Sequence, residues 1–439
     1  MKELKLVQVG CGGMGLRHIY GQSQLKKHGF KSFDLTAVCD IHKSSAEHVA
    51  SIAKKELNKQ PNIYTNFEKM IEKERPDVVD IVTDTRFHHE YAIKALENGA
   101  HVAIEKPMAL TVRACQKIIE TAERTRKIVS VSENYRRDPL NRLTKALIDA
   151  KILGEPRIAV DINFTGSRVI NQFAAWRHMK LRGGWALEYG VHNADLLLYF
   201  MGNIDTIYAN TKLWEKERYN TTASTQISDT PTTKNFFSRP INGLNQFYNH
   251  RVKEQIDKNK MVQCTAEDTV LSTLQFSSGT LGQLSLSIAA LGQGLSKQIF
   301  YCDNGSLIPS GSRSGNPLMI TKHNSESTMP EEEILQLVPD FQLDPITSPF
   351  FENKKRVSSY TMDWKEIDQK LIAIEMQDFA NAVLRGEKPE VTGEIGLKAV
   401  ALSYSILESG YSKKPVNFID VIKDKINGYQ QEINDYINL

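Results

Sequence analysis

The chain has 439 residues, of which 41% are hydrophobic and 24% are charged, and its 55 basic and 52 acidic side chains leave a net charge of +3. This composition is typical of a globular protein and excludes a disordered or fibrous chain. A charge so close to neutral gives no electrostatic footprint for binding nucleic acid or an anionic membrane. The length predicts two domains, each able to bury a core of its own.

The sequence shows no pattern typical of a membrane or secreted protein. Its longest uninterrupted apolar run, residues 196–201, is far shorter than the roughly 20 residues of a spanning helix. Residues 1–9 lack the apolar core and cleavage site of a secretory signal. The 5 cysteines are scattered and form no Cys-x-x-Cys pair, which predicts reduced thiols, no metal site and a cytoplasmic location.

Residues 1–138 alternate strand-like and helical patterns with short connections. Strands are predicted at residues 5–9, 34–39, 78–83, 101–104 and 128–132, and helices at 14–27, 44–58, 67–74, 88–98 and 112–126. The strands are short, apolar and rich in β-branched residues, as expected of strands that are covered on both faces. The alternation predicts an α/β domain with a doubly wound parallel sheet.

Residues 139–439 follow a different pattern, which predicts a second domain of α+β type. A helix is predicted at 140–150, a strand at 157–164, a helix from about 185 to 201, and further strands at 269–276, 282–288 and 298–302. We expect the later strands to form an antiparallel sheet with one face packed on helices. The helices within residues 371–408 are expected to pack back on the first domain.

Two stretches, residues 211–262 and 309–365, appear as insertions in the second domain. Each has two interpretations: a surface loop, or an element that covers a binding site or contacts another subunit. Long loops are often functional, but the sequence does not decide between these interpretations.

A glycine-rich pattern follows the first predicted strand and opens the first predicted helix. Gly10, Gly12 and Gly15 form G-x-G-x-x-G, with Gly13 and Met14 inside it. In such a loop the first glycine allows a tight turn, the second lets the backbone approach a pyrophosphate, and the third permits close helix packing. The helix N-terminus adds free N–H groups for the phosphates. The motif in this context predicts a dinucleotide site.

Asp40 ends the second predicted strand, where a carboxylate can bind the hydroxyl groups of the adenine ribose. Because a carboxylate repels a 2′-phosphate, Asp40 favours NAD over NADP. His42 and Lys43 follow closely and offset part of that repulsion, so NADP stays open as an alternative.

Two groups of polar residues follow strands whose ends should border the dinucleotide. Residues 105–107, Glu-Lys-Pro, end the strand predicted at 101–104, at the edge where open α/β sheets place ligands. The proline disfavours helical geometry at Lys106 and should hold it extended toward the crevice. Residues 134–136, Asn-Tyr-Arg, end the strand predicted at 128–132 and face the same crevice, unless they are ordinary contacts between the domains.

A third group lies in the helix predicted from about residue 185. Glu188 and His192 are four residues apart and so share a helix face. Glu188 is expected to contact one imidazole nitrogen, which fixes the tautomer and leaves the other nitrogen as a base for a substrate hydroxyl. Asp195 lies one turn further on, where it could hold the helix or pair with a neighbour. The plain alternative is an ordinary helix with a polar stripe.

Taken together, these residues resemble the glucose–fructose oxidoreductase and inositol dehydrogenase (Gfo/Idh/MocA) family. The resemblance rests on the glycine loop and on ordered motifs at residues 83–88, 95–102, 105–107, 134–136, 176–177, 183–195 and 266–269. It implies an N-terminal Rossmann domain and a C-terminal domain with a large, mostly antiparallel open sheet that often forms oligomer contacts. It also implies NAD(P)-dependent oxidation or reduction of a secondary hydroxyl or ketone, typically of a sugar or cyclitol.

The resemblance also implies roles for individual residues. Lys106 would contact the reacting centre and His192 would act as the acid and base, with Glu188 in place of the family's usual aspartate. The residues that would line the cofactor are Thr83, Thr85, His88, Glu105, Lys106, Asn134, Trp176 and Arg177. The candidates for binding substrate are Tyr135, Arg136 and Asp195.

Three hypotheses follow from these motifs. The first is a homo-oligomeric NAD-dependent dehydrogenase, dimeric or tetrameric, that acts on a small polyhydroxylated molecule. The second is a glycoside-cleaving enzyme that oxidises and later re-reduces one ring carbon, with no net formation of NADH. The third is a cofactor-binding sensor without turnover, which would be expected to lose Lys106 or His192.

Overall fold

The computed structural model describes residues 3–170, 174–224 and 253–439, which fold around two β-sheets. The first sheet has six parallel strands in the order β3-β2-β1-β4-β5-β6. Its strands are β1 Leu4–Val9, β2 Phe33–Cys39, β3 Asn62–Tyr64, β4 Val78–Ile81, β5 His101–Glu105 and β6 Val129–Ser132. The strand order reverses between β1 and β4, and open sheets of this kind bind ligands outside the carboxyl ends at that point.

Helices cover both faces of this sheet. They are α1 Gly13–Lys27, α2 Lys43–Leu57, α3 Phe67–Glu74, α4 His88–Glu97 and α5 Val112–Thr125. Val7 and Val79 belong to the core that includes α4 and α5, whereas Leu6 and Val78 belong to the core that includes α1 and α2. Neighbouring strand residues therefore enter different cores, which explains why the strands are apolar throughout. The predicted doubly wound parallel sheet is confirmed.

The second sheet has eight strands in the order β15-β14-β13-β7-β12-β11-β8-β16. They are β7 Pro156–Phe164, β8 Ile204–Lys212, β11 Thr269–Phe276, β12 Leu281–Ser287, β13 Leu295–Cys302, β14 Gly305–Ile308, β15 Met319–Lys322 and β16 Val416–Asn417. Only the pair β7–β12 is parallel, so the predicted mostly antiparallel sheet is confirmed. A separate hairpin pairs β9 Glu217–Ser224 with β10 Lys253–Gln263.

One face of the second sheet is covered by helices and the other is open. The helices that follow β6 are α6 Pro139–Asp149, α7 Gly184–Glu188, α8 Gly190–Met201, α9 Glu331–Ile334, α10 Trp364–Arg385, α11 Gly393–Ser412, α12 Phe418–Ile422 and α13 Gln431–Tyr436. Ile207 and Leu284 point to the covered side, where α8 and α11 pack. Leu271, Leu281 and Tyr301 lie on the opposite side and are exposed.

Two local features differ from the sequence prediction. The strand β3 has no predicted counterpart, because it is a three-residue, largely exposed edge strand with too few residues to show a pattern. The single helix predicted from about 185 to 201 is wrong. The chain instead forms α7 and α8, which meet at Tyr189. Gly183, just before α7, and Gly184, its first residue, both have positive φ. The break changes the directions in which residues on either side of it point.

The stretch at residues 309–365 packs on the first half of the chain. Phe350 is fully buried against the ring of His28, with the ring centroids 4.5 Å apart. The following helix, α10, packs on α1 so closely that a Cβ added to Gly21 would lie 2.5 Å from Ile372. This stretch is therefore not a simple surface loop.

Within the other predicted insertion, residues 225–252 lie outside the described residues. Among all the residues that the structure describes, no helix is long and apolar enough to span a membrane. Nor do three or more His, Cys, Asp or Glu side chains in that part of the chain come together as metal ligands would.

Candidate active site

The glycine loop between β1 and α1 leaves open space at its centre. Gly10 has φ +100°, and a Cβ there would lie 2.4 Å from the carbonyl oxygen of Val82. A Cβ on Gly15 would lie 2.2 Å from the carbonyl oxygen of Gly10, so both positions require glycine. At Gly12 an added Cβ would meet nothing within 4 Å. The loop is thus closed on the protein side and open where a ligand would approach.

The N-terminus of α1 is suited to bind an anion. Gly12 caps the helix without a side-chain hydrogen bond, and the first turn, which begins with Gly13 and Met14, has no acidic residue. Asp40 braces the loop from the end of β2, since its Oδ2 accepts a hydrogen bond from the Cys11 backbone N–H at 2.8 Å. These residues fit the pyrophosphate and adenine ribose of a dinucleotide.

The ends of β4 and β5 are held together by His88. Its Nδ1 lies 2.9 Å from the carbonyl oxygen of Pro107, and its Nε2 lies 3.2 Å from that of Thr83. The ring is 1% exposed, and this burial lowers the pKa of His88. The structure therefore places His88 between the loops that follow β4 and β5, where a neutral imidazole donates to one of the two carbonyl oxygens.

Glu105 is buried at the end of β5 beside a second histidine. Its Oε1 lies 3.2 Å from Nε2 of His18, whose Nδ1 lies 2.8 Å from Oδ2 of Asp80. Burial alone would raise the pKa of Glu105, but the hydrogen bond and charge of His18 lower it. The other carboxylate oxygen accepts the Lys106 backbone N–H at 2.9 Å, which fixes the start of the lysine loop.

Lys106 joins the two halves of the chain. Its Nζ donates a hydrogen bond to the backbone carbonyl oxygen of Glu188 at 3.0 Å. Burial lowers the pKa of Lys106, and the charge of Arg177 contributes to the same effect. Arg177 lies on a short 3₁₀ helix next to Trp176, with its guanidinium 5.0 Å from the centre of the indole ring. Arg177 is thus close enough to act on the charge of Lys106, and Trp176 lies beside Arg177; their contact with a cofactor stays a prediction.

The partner of His192 is Glu133, not Glu188. The Nδ1 of His192 lies 2.5 Å from Oε1 of Glu133, and its ring stacks on Tyr135 at 4.1 Å with an interplanar angle of 7°. Glu188 instead accepts a hydrogen bond from the Thr85 hydroxyl at 2.7 Å. The predicted Glu188–His192 contact is wrong, because the break at Tyr189 removes the two residues from a common helix face.

The environment disfavours the charged form of the His192 imidazole. Burial and the nearby charge of Lys106 hold the pKa of His192 well below its usual value. Burial raises the pKa of Glu133 to about 7. No hydrogen bond from the described residues reaches Nε2 of His192, so this nitrogen remains able to take a proton. The side chain is 12% exposed, which leaves it accessible from the crevice.

Arg136 and Asp195 are bonded to each other. The Nε of Arg136 donates to Oδ2 of Asp195 at 2.9 Å, and the two residues are 6% and 1% exposed. The alternative in which Asp195 pairs with a neighbour is the one observed. Substrate contact is not supported for this pair, because the ion pair is buried and serves to fix the loop after β6 to α8. For Tyr135, contact with the substrate stays a prediction.

Two residues of the site had no role in the sequence analysis. Glu133 directly follows β6, so the rule that ligand-binding groups lie at the carboxyl ends of parallel strands would have found it. Arg313 donates from Nη2 to the side-chain oxygen of Asn134 at 2.7 Å. It comes from an irregular loop with no motif, and only the structure brings it to the site.

Comparison with known proteins supports this picture. Residues 4–133 match the oxidoreductase family with an NAD-binding Rossmann fold, Gfo/Idh/MocA, and residues 145–418 match the C-terminal α/β domain of the same family. An α-N-acetylgalactosaminidase from Shewanella oneidensis is 28% identical over 202 residues. That alignment covers 43% of this chain and 43% of the relative, so the similarity spans less than half of either protein.

Solved structures share the whole fold at low identity. A levoglucosan dehydrogenase in complex with NADH and L-sorbose superposes with a TM-score of 0.70 at 18% identity, covering 95% of this chain and 99% of the other. A putative myo-inositol dehydrogenase from Sinorhizobium meliloti gives a TM-score of 0.61 at 16% identity, covering 94% of this chain and 99% of the other. Because the two family matches together extend over most of the sequence, the chain belongs to the Gfo/Idh/MocA family of NAD-binding oxidoreductases.

Proposed function

We propose that this protein catalyses NAD-dependent oxidation or reduction at a secondary hydroxyl or ketone of a sugar, cyclitol or glycoside. The observation that carries the proposal is the imidazole of His192, bonded to Glu133 and stacked on Tyr135. It lies near Lys106, at the carboxyl edge of the NAD-binding sheet. A base and a cation on the same crevice are the groups that alcohol oxidation requires.

Bound NAD would supply the site that accepts or returns a hydride. In the oxidation direction, Nε2 of His192 takes the proton of the substrate hydroxyl. Glu133 stabilises the imidazolium that results, since its carboxylate lies against Nδ1. Among the residues that the structure describes, Nζ of Lys106 donates only to the Glu188 carbonyl. Its other two N–H donors are then available for the developing negative charge on the substrate oxygen.

The direct test is a screen of sugars, cyclitols and glycosides with NAD, followed by NADH absorbance. We expect at least one polyhydroxylated ring compound to give steady formation of NADH, and its keto product to be reduced in the reverse direction. Absence of NADH with every compound in both directions, from a folded protein that binds NAD, would contradict the proposal.

A second candidate is a glycosidase that uses NAD transiently. The similarity to an α-N-acetylgalactosaminidase favours it, although that similarity covers 43% of the relative. Such an enzyme would release nitrophenol from nitrophenyl N-acetylgalactosaminide without net NADH, and removal of NAD would abolish the release. Net NADH from free sugars without release of nitrophenol would instead favour the dehydrogenase.

The cofactor role of the glycine loop gives a prediction for Gly12→Val. Because an added Cβ meets nothing within 4 Å and the Gly12 backbone is extended, we expect the fold to tolerate valine and the melting temperature to stay within a few degrees of the parent. The side chain would fill the space through which the pyrophosphate approaches, so affinity for NAD should fall at least tenfold. Calorimetric titration with NAD measures this; unchanged affinity would contradict the placement of the cofactor.

Homo-oligomer formation is proposed to use the open face of the second sheet. Leu271 and Leu281 are 45% and 59% exposed on that face, and Ile158 and Tyr301 extend the same apolar surface. Large apolar patches of this kind mark interaction sites. We expect the double substitution Leu271→Lys, Leu281→Lys to reduce the mass in light scattering to that of one chain.

The matched control is Ile419→Lys, which alters an apolar side chain of similar exposure, 51%, outside the sheet. It should leave the mass unchanged. An unchanged mass in the double variant, together with a parent that is oligomeric, would show that the subunits meet elsewhere.

A further inference from the structure

A loop from the second sheet reaches the catalytic histidine through one arginine. The loop, residues 309–318, connects β14 and β15. Its Arg313 has φ +63°, a left-handed conformation that is unfavourable for a residue other than glycine. The backbone N–H of Arg313 donates to Oδ2 of Asp138 at 2.8 Å, which anchors the loop to the residues that follow β6.

The guanidinium of Arg313 lies between two aromatic rings. Its central carbon is 4.9 Å from the ring centre of Tyr135 and 5.3 Å from that of Trp364. The Nη2 donates to the side-chain oxygen of Asn134 at 2.7 Å and lies 3.1 Å from Oδ1 of Asp368. The side chain is 7% exposed, so its position is fixed from several sides at once.

Tyr135 connects Arg313 with His192, the proposed base. The same ring that Arg313 contacts stacks on the imidazole of His192, with centroids 4.1 Å apart. The guanidinium is therefore one aromatic ring away from the imidazole. Planar groups stacked in this way restrict one another's rotation, and a buried positive charge at this distance acts on the imidazole through a medium of low dielectric constant.

We propose that Arg313 is a positioning residue for His192: it holds Tyr135 flat against the imidazole and places a fixed positive charge one ring away. The inference rests on the proposed function, in which His192 must be neutral to accept the hydroxyl proton. No motif marks Arg313, and the role explains why an irregular loop is anchored beside Asn134 in an unfavourable backbone conformation.

The charges around His192 come from several elements. The positive groups Lys106, Arg313 and Arg17 disfavour the imidazolium, and Glu105 favours it. Glu133 contacts the ring directly. The surroundings also hold Glu188 on α7, Asp161 on β7, and the ion pair of Arg136 with Asp195 of α8 itself. Asp368 on α10 pairs with both Arg313 and Arg17 and offsets part of their charge. Because Glu133 and the other carboxylates remain in place, loss of Arg313 alone shifts the balance toward the protonated imidazole.

The test compares Arg313→Met, which removes charge and stacking, with Arg313→Lys, which keeps the charge but loses the planar group. In Arg313→Met we expect the acidic limb of the pH profile of kcat/KM for the oxidation to move to higher pH by about one unit. In Arg313→Lys the limb should stay within a few tenths of a unit while kcat falls at least threefold. A limb and kcat equal to the parent in both variants would overturn the proposal.

The control variant is Arg356→Gln. Arg356 belongs to the same stretch of chain and donates to the carbonyl oxygens of Leu335 and Val338, but it has no contact with Tyr135. Its loss should lower the melting temperature without moving the acidic limb. A limb that moved as far in Arg356→Gln as in Arg313→Met would show a structural effect only and would overturn the positioning role.

A second measurement needs no substrate and separates this inference from the proposed function. Titration of ¹⁵N-labelled histidine by NMR, with His192 assigned by its loss in His192→Gln, reports the protonation of the imidazole directly. A higher midpoint in Arg313→Met supports the inference even if no sugar is oxidised. An unchanged midpoint in a folded Arg313→Met protein overturns it even if the dehydrogenase activity is established.

Discussion

Replacing His192 with alanine is expected to lower kcat for the oxidation of a sugar hydroxyl by about 100- to 10,000-fold, the usual contribution of a positioned base. The physical reason is that the variant lacks Nε2 of His192, the atom proposed to take the proton, while Glu133 is left without the imidazole that it contacts. Steady-state rates of NADH formation at saturating substrate measure the effect.

The affinity for NAD should change little in this variant, because the glycine loop and Asp40 lie on other elements. The matched control is His323→Ala, which removes an exposed histidine that follows β15. It should retain the parent rate. A His192→Ala rate within a few-fold of the parent would assign the proton transfer to another residue and leave the cofactor site intact.

Glu375→Gln is expected to stabilise the protein at pH 8 by about 3 to 5 kcal/mol and to have little effect near pH 4.5. Glu375 lies on α10, is 3% exposed, and neither of its carboxylate oxygens has a hydrogen-bond partner among the described residues. Burial raises its pKa to about 8, although His18 and Arg137 act in the opposite direction.

The sign follows from the two states of the chain. In the unfolded chain Glu375 ionises near its ordinary pKa of about 4.3, whereas in the folded protein it keeps its proton until about pH 8. Its contribution to stability is therefore fully present below about pH 4.3 and is lost as the pH rises toward 8. Glutamine does not titrate, so the variant avoids this loss.

Urea unfolding at the two pH values measures the difference in the free energy of unfolding. Glu387→Gln, an exposed position just after α10, is the control and should change neither value. If Glu375→Gln stabilised the protein equally at both pH values, the raised pKa of Glu375 would not be the cause.

The sequence predicted those features that depend on neighbours along the chain. Apart from β3, each strand of the first sheet is a short apolar run followed by a helical pattern. The glycine loop was recognisable because Gly10, Gly12 and Gly15 form a short local motif directly after β1. Lys106 could be placed because the carboxyl ends of parallel strands share one edge.

The contacts that complete the site could not be predicted in this way. The pairing of Glu133 with His192 joins two halves of the chain, and the helix break at Tyr189 shows no strong sequence signal. Helical periodicity therefore assigned the wrong carboxylate to the imidazole. Arg313 reaches Tyr135 from a loop whose path depends on packing against α10, which no local pattern describes.

The division of the acid–base pair between the two halves has a consequence for catalysis. Glu133 follows a strand of the cofactor-binding sheet, whereas His192 belongs to a helix on the other sheet. Any hinge motion that opened the crevice to exchange product would also pull the carboxylate from the ring. The base would then lose its counter-charge while the crevice is open and regain it only on closure, so proton abstraction would be gated by the same movement that admits the substrate.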